Sequence, residues 1–316
     1  MKLAFLFPGQ GSQAVGMGRS FAETHAEARS VFDEADRVLG FALSRIMWEG
    51  PEDVLKATEN AQPALLVHSV AALRVVTARG LSPSYAAGHS LGEYSAHVAA
   101  GSLSFVDALS LVRRRGELMA EAGRAESGTM AAILGLDGDE VEAACAAVRE
   151  AGDGTVVAAN FNSPGQVVIS GEIAAVEAAM AACKERGAKR AIRLPVSGAF
   201  HSPLMGPATE GLRAALAKVD VRDAAIPVIA NVDAQPVSDA DEIKDRLGRQ
   251  LLGAVRWEES MRNLVTSGVG AFVELGSGKV LRGLLKQIAP DAKSANVDDA
   301  ASLDETLTAI GAGARA

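Results

Sequence analysis

The sequence predicts an α/β protein: a large domain on a mainly parallel sheet, interrupted by a small βαββαβ subdomain. Three observations predict it. Short apolar strands alternate with helical stretches over most of the 316 residues. Between Gly128 and Val196 the order becomes strand, helix, two strands, helix, strand, which is the ferredoxin-like unit. Gly88-His89-Ser90-Leu91-Gly92 joins an apolar strand to a helical stretch through a turn that only small residues permit. The large domain is expected from residues 1–127 and 196–316, and the subdomain from 128–195.

The elements follow in order. Leu3 to Phe7 is a buried strand that stops at Pro8, and Ser20 to Leu39 has helical spacing with an acidic outer face. Pro51 to Thr58 reads as a short helix. Pro63 is placed at the start of an apolar helix that continues to Ala78. The turn Gly80-Leu81-Ser82-Pro83 leads into the strand before Ser90, and helices are expected over Ser90–Ala100 and Ser104–Ala122. The subdomain is read as strands Met130–Leu134, Val156–Asn160, Gln166–Ser170 and Arg190–Leu194, with helices Asp139–Arg149 and Ile173–Arg186. Beyond it come a helix to Ala217, a strand at Val228–Asn231, a helix near Asp241–Leu251 and a strand at Ala271–Glu274. A last helix ends near Ile288, and the tail past Ile310 is expected to fray.

Composition narrows the function. Charged residues make up 22% of the chain, the net charge is -8, and no basic run exceeds Arg113-Arg114-Arg115, which argues against nucleic acid. No uncharged apolar run reaches the roughly 18 residues of a membrane span, and the N-terminus has no secretory pattern. Cys145 and Cys183, the only 2 cysteines, lie in separate helical patterns, so a reducing compartment is expected, with the cytoplasm as default. The glycines around Gln10 match neither GxGxxG nor a phosphate loop. Gln10, Ser90, Asn231 and Gly276 all lie just past predicted strands, where an α/β sheet places its ligands.

Ser90 is therefore a candidate nucleophile, with the helix behind it aiming free N–H groups at any oxyanion. The pentapeptide alone also admits an incidental serine in a glycine-rich turn. Of 5 histidines, His25 lies in a polar helix, His68 in an apolar one, and His97 further along the Ser90 helix. His89 adjoins Ser90 and points away from it, although it could line the cleft. His201, in the turn-rich Gly198-Ala199-Phe200-His201-Ser202-Pro203, is left as the best candidate base. Arg115 falls on the same helical stripe as Ala108, Leu111, Val112, Leu118, Met119 and Ala122. A guanidinium on an apolar face needs an anion: either a protein carboxylate, or one that arrives with the substrate.

Phe-Pro-Gly-Gln-Gly-Ser-Gln from Phe7, Gly-His-Ser-Leu-Gly-Glu around Ser90 and Arg-Gly-Glu-Leu-Met from Arg115 occur in one order. Asn-Phe-Asn-Ser-Pro-Gly-Gln from Asn160 and Phe-His-Ser-Pro-Leu-Met from Phe200 follow. With these motifs the whole chain resembles the malonyl-CoA:acyl carrier protein transacylase family, and so the acyltransferase domains of polyketide and fatty-acid synthases. The resemblance implies a large α/β-hydrolase-like domain and a ping-pong transfer of malonyl from coenzyme A to the phosphopantetheine thiol of acyl carrier protein. It implies Ser90 as nucleophile, His201 as base, and the N–H groups of Gln10 and Leu91 as oxyanion hole. Arg115 would hold the malonyl carboxylate, Met119, Phe200, Asn160 and Asn162 would contact substrate, and the Gln250 carbonyl would orient His201. No metal and no permanently bound cofactor is implied; acyl carrier protein is the transient partner of a monomer.

A serine hydrolase of the α/β class would need a late histidine, and none follows His201. An inactive carrier-binding module would not need Ser90, His201 and Arg115 together. Lys184, Arg186, Lys189 and Arg190 are the basic residues that could meet an acidic carrier.

Overall fold

A computed structural model of the chain describes residues 1–311. It opens with β1 (Lys2–Phe7), then helices α1 (Arg19–Thr24), α2 (Ala26–Leu39), α3 (Leu43–Glu49), α4 (Glu52–Lys56) and α5 (Thr58–Ala78). β2 (Tyr85–Gly88), α6 (Gly92–Ala99) and α7 (Phe105–Ala125) follow. Next come β3 (Gly128–Leu134), α8 (Gly138–Glu150), β4 (Val156–Ser163), β5 (Gln166–Glu172), α9 (Ile173–Glu185) and β6 (Arg190–Arg193). A 3₁₀ turn at Pro203–Met205 precedes α10 (Gly206–Leu216), β7 (Val228–Ile229), β8 (Pro236–Val237), α11 (Ala240–Arg249) and α12 (Trp257–Thr266). β9 (Val269–Leu275), α13 (Val280–Ile288), β10 (Lys293–Val297) and α14 (Ala300–Gly311) complete it.

The larger sheet is six-stranded in the order β10-β9-β1-β2-β7-β8, parallel except where β8 returns against β7. Strand alternation sends Leu3, Phe5 and Phe7 to one face and Ala4 and Leu6 to the other, and all five are buried. The first face packs into the cluster that contains α5, the second against Trp257, Met261, Leu281 and Leu285 of α12 and α13. Helices on both faces are what a parallel sheet requires. The smaller sheet is antiparallel, in the order β4-β5-β3-β6, with α8 and α9 over one face around Val141, Cys145, Val176 and Cys183. Its β4–β5 hairpin turns at Pro164-Gly165, where Gly165 has φ 70°, left-handed geometry that glycine adopts freely.

Several expectations change. The single helix predicted over Ser20–Leu39 breaks at His25, whose extended backbone (φ -130°, ψ 116°) ends α1 and starts α2. Pro63 lies inside α5, not at its start. Proline leaves the carbonyl of residue i−4, Glu59, without its helical donor, and Arg113 Nη1 supplies one at 2.9 Å. α6 begins at Gly92 because Ser90 is left-handed (φ 50°). α3, β8, α12, β10 and α14 have no counterpart in the elements expected from the sequence, and α13 is not the last element. α5 is the one helix among the described residues long and apolar enough to cross a membrane, and most of it is buried inside the protein. The tail expected to fray beyond Ile310 falls on residues 312–316, outside those described.

Candidate active site

β2 delivers the chain to the carboxyl edge of the large sheet beside β1, and two close approaches fix the turn. A Cβ on Gly88 would strike the Gly92 carbonyl, and one on Gly92 would strike the carbonyl of Phe7 at the end of β1. Ser90 takes the left-handed conformation between them, strain that such a turn stores to expose its side chain. Asn231, just past β7, holds the turn from the other side. Its Oδ1 accepts from the Ser90 N–H at 2.7 Å and its Nδ2 donates to the Gly88 carbonyl at 2.8 Å.

Two side chains converge on the Ser90 hydroxyl. His201 Nε2 lies 2.7 Å from Oγ, and Arg115 Nη2 donates to Oγ at 3.0 Å. His201 is itself left-handed (φ 56°), in a loop that Ser202 pins through its hydroxyl to the Ala199 carbonyl at 2.7 Å. His201 Nδ1 faces the carbonyls of Gln250 and Gly253 at 3.0 and 3.1 Å. Carbonyls only accept, so Nδ1 carries the hydrogen and Nε2 keeps its lone pair for the serine. Burial first, then the Arg115 charge, lower the His201 pKa to about 3, so the imidazole is neutral near pH 7.

Arg115 is 1% exposed, eleven residues into α7, a helix capped by the Ser104 hydroxyl. Its Nη1 donates to Gln62 Oε1 at 2.8 Å and its Nη2 to Gln250 Oε1 at 3.0 Å; Nε has no partner. No carboxylate among the described residues pairs with it, although Glu93 lies close enough to favour its charge. The Tyr94 ring sits 5.8 Å from its Cζ. The arginine is thus buried among neutral acceptors, with donor capacity to spare.

Gln250 closes the network. Its Nε2 donates to the Ser90 carbonyl at 3.0 Å and to Glu93 Oε2 at 2.7 Å, while its own carbonyl holds the histidine. Gln10 and Leu91 lie on the adjacent loops after β1 and β2, and neither backbone N–H bonds to the protein among the described residues. Phe200 is buried next to His201. Met119 reaches the group through Gln62, whose Nε2 donates to its sulfur at 3.2 Å. Asn160 and Asn162 are on β4. Asn160 forms a parallel bridge with Val255, and Asn162 Oδ1 meets His89 Nε2 at 2.8 Å. Gly276 sits over Ser69 and Pro8.

Sequence reasoning missed Gln62, gave no site role to Glu93, and placed Asn231 at the cleft only by its position past a predicted strand. Gln62 left one signal, a lone amide inside Ala61-Gln62-Pro63-Ala64-Leu65-Leu66. The described residues hold no group of three metal-binding side chains. Cys145 and Cys183 are free thiols whose pKa burial raises to about 12 and about 11. Lys184, Arg186, Lys189 and Arg190 are exposed, and Arg186 is paired with Glu140 at 2.9 Å.

The family model described as "Acyl transferase domain" matches residues 4–303. The malonyl CoA-acyl carrier protein transacylase of Bacillus subtilis strain 168 is 50% identical over 309 residues, 98% of this chain and 97% of that protein. The chain belongs to the malonyl CoA-acyl carrier protein transacylase family. The Escherichia coli K12 member is 45% identical over 97% of this chain and 99% of its own. Among solved structures, an acyl carrier protein S-malonyltransferase from Vibrio cholerae superposes with TM-score 0.94 at 48% identity, covering 97% of this chain and 100% of that one. A malonyl-transacylase in complex with a type II PKS acyl-carrier protein superposes at 0.93 with 44% identity, covering 98% and 99%. The chain is an acyltransferase of this family, with the family's mixed α/β fold and small antiparallel subdomain.

Proposed function

We propose that the chain transfers malonyl from coenzyme A to the phosphopantetheine thiol of acyl carrier protein, in fatty-acid biosynthesis, through a malonyl ester on Ser90. The observation that carries this reading is the meeting of a neutral imidazole and a buried guanidinium on one hydroxyl, at 2.7 and 3.0 Å. His201 takes the Ser90 proton as Oγ attacks the thioester carbonyl. The oxyanion forms against the Gln10 and Leu91 N–H groups, and collapse breaks the C–S bond while His201 returns the proton to the leaving thiolate. The carrier thiol reverses these steps. Arg115 has N–H donors to offer a substrate carboxylate, and an arginine fork suits that planar acid end. Asn160, Asn162, Phe200 and Met119 would shape the cleft around it, with residues 128–195 acting as an inserted subdomain.

Every group invoked comes from one chain, which supports action as a monomer, and a cytoplasmic setting follows from a substrate made on coenzyme A. Incubation with labelled malonyl-CoA, followed by acyl carrier protein, tests the reading. Label should appear on Ser90 by mass spectrometry and then pass to the carrier; Ser90→Ala should take none. Label on another residue, or release only as free malonate, would reject it.

A further inference from the structure

Glu93, on the first turn of α6, is 1% exposed. Its Oε2 accepts from Gln250 Nε2 at 2.7 Å and from the Asn231 N–H at 3.1 Å, whereas Oε1 makes no hydrogen bond among the described residues. The Gln250 amide therefore stands between an acid and a cation, its nitrogen on Glu93 and its oxygen on Arg115 at 3.0 Å. That orientation is the one the network permits, since the reverse would point N–H groups at the guanidinium.

The charges around this amide balance only while the site is empty. Arg115 contributes one positive charge and ionised Glu93 one negative. Tyr94 and His201 face the same space as neutral groups: burial keeps both so near pH 7, and at His201 the Arg115 charge acts in the same direction. Asp233, the next carboxylate, is paired with Arg246 at 2.9 Å. A substrate carboxylate on Arg115 would set two buried negative charges against one positive, which a poorly solvated site resists.

We propose that Glu93 takes up a proton from solvent when a substrate carboxylate binds Arg115, so that loading of malonyl is proton-linked and loading of acetyl is not. The proposal rests on the reading of Arg115 given under Proposed function. Oε1 is free to carry the proton while Oε2 keeps both of its hydrogen bonds. Burial already raises the Glu93 carboxyl to about 7, so little further perturbation is needed. Discharge of the malonyl group to the carrier thiol returns the proton to solvent. Above pH about 7, binding must first protonate an ionised carboxylate, and malonyl affinity falls by up to about tenfold per pH unit. Below that it levels off.

Ser90→Ala protein binds substrate without turning it over. Calorimetry at one pH, in two buffers of different ionisation enthalpy, counts the protons taken up with malonyl-CoA and with acetyl-CoA. The nucleotide and phosphates are common to both ligands, so the difference isolates the acyl end. The expected difference is about 0.5 proton at pH 7, approaching one at pH about 8. Adding Glu93→Gln should erase it. Equal uptake for the two ligands, or a difference that survives Glu93→Gln, overturns the proposal; the first comparison keeps Glu93 and stands even where the double variant does not fold. Failure of the wild-type enzyme to form any malonyl adduct would reject the transferase reading and this proposal with it. An adduct on Ser90 without differential uptake rejects this proposal alone.

Discussion

Arg115 is a buried cation whose hydrogen bonds all go to neutral atoms. Its counter-charge, Glu93, meets it only through the Gln250 amide, so a substrate carboxylate would give the guanidinium a direct ionic partner that an acetyl group cannot supply. Arg115→Ala should therefore lose malonyl transfer while keeping or gaining acetyl transfer, moving the ratio of kcat/KM values by roughly two to four powers of ten. Steady-state kinetics on both thioesters, beside a thermal melt, check this. Parallel losses on both substrates with a large fall in Tm would assign the arginine to folding instead. At this scale Ser90 is legible because its two glycines are adjacent in sequence, and Arg115 because its apolar stripe is periodic. Gln62 is not legible as its partner, because the contact spans 53 positions and only the folded helices bring it about.

At the scale of elements, the site is a junction of strand ends. β1 brings Gln10, β2 brings Ser90 and β7 brings Asn231, all at the carboxyl edge of one parallel sheet. Asn231 bonds both sides of the serine turn and, through its own N–H, Glu93 on α6. Asn231→Ala removes two side-chain hydrogen bonds and leaves buried partners unsatisfied, a cost of about 2–4 kcal/mol. The expected outcome is a lower urea midpoint together with a reduced kcat, since the turn that presents Ser90 loosens. Wild-type values of both would show that the glycines alone hold the turn. Strand β2 and helices α7, α8 and α9 were legible from periodicity, whereas β10 and α14 were not. Lys293-Ser294-Ala295-Asn296-Val297 has too few apolar residues to signal a strand, and becomes one by pairing in parallel with β9. Pro63 misled for a related reason: the donor that lets α5 run through it comes from α7.

For the whole molecule, the buried titratable groups set how stability varies with pH. Burial lowers the pKa of His97 and His201 to about 3, and lowers those of His68 and His89 as well. Below about pH 6.5 the unfolded chain binds protons on these histidines more readily than the folded protein does. Glu93 and Glu274 act in the opposite sense. Burial raises both to about 7, so between about pH 4.5 and 7 the folded protein holds protons that the unfolded chain has released. Near pH about 5.5 the contributions of His97 and His201 roughly offset those of the two carboxyls, and His68 and His89, lowered in the same direction, leave the unfolded chain holding the excess. Stability should then rise with pH from about 5 to 6.5 as the unfolded histidines lose their protons. Above that the histidine contribution is complete, while the two carboxyls ionise at a cost to the fold, so the curve should flatten or dip slightly through pH about 7. Urea midpoints measured at fixed ionic strength across this range check the balance. A midpoint that is highest near pH about 5 and falls steadily toward neutrality would mean that the buried carboxyls, not the histidines, dominate the proton balance of folding.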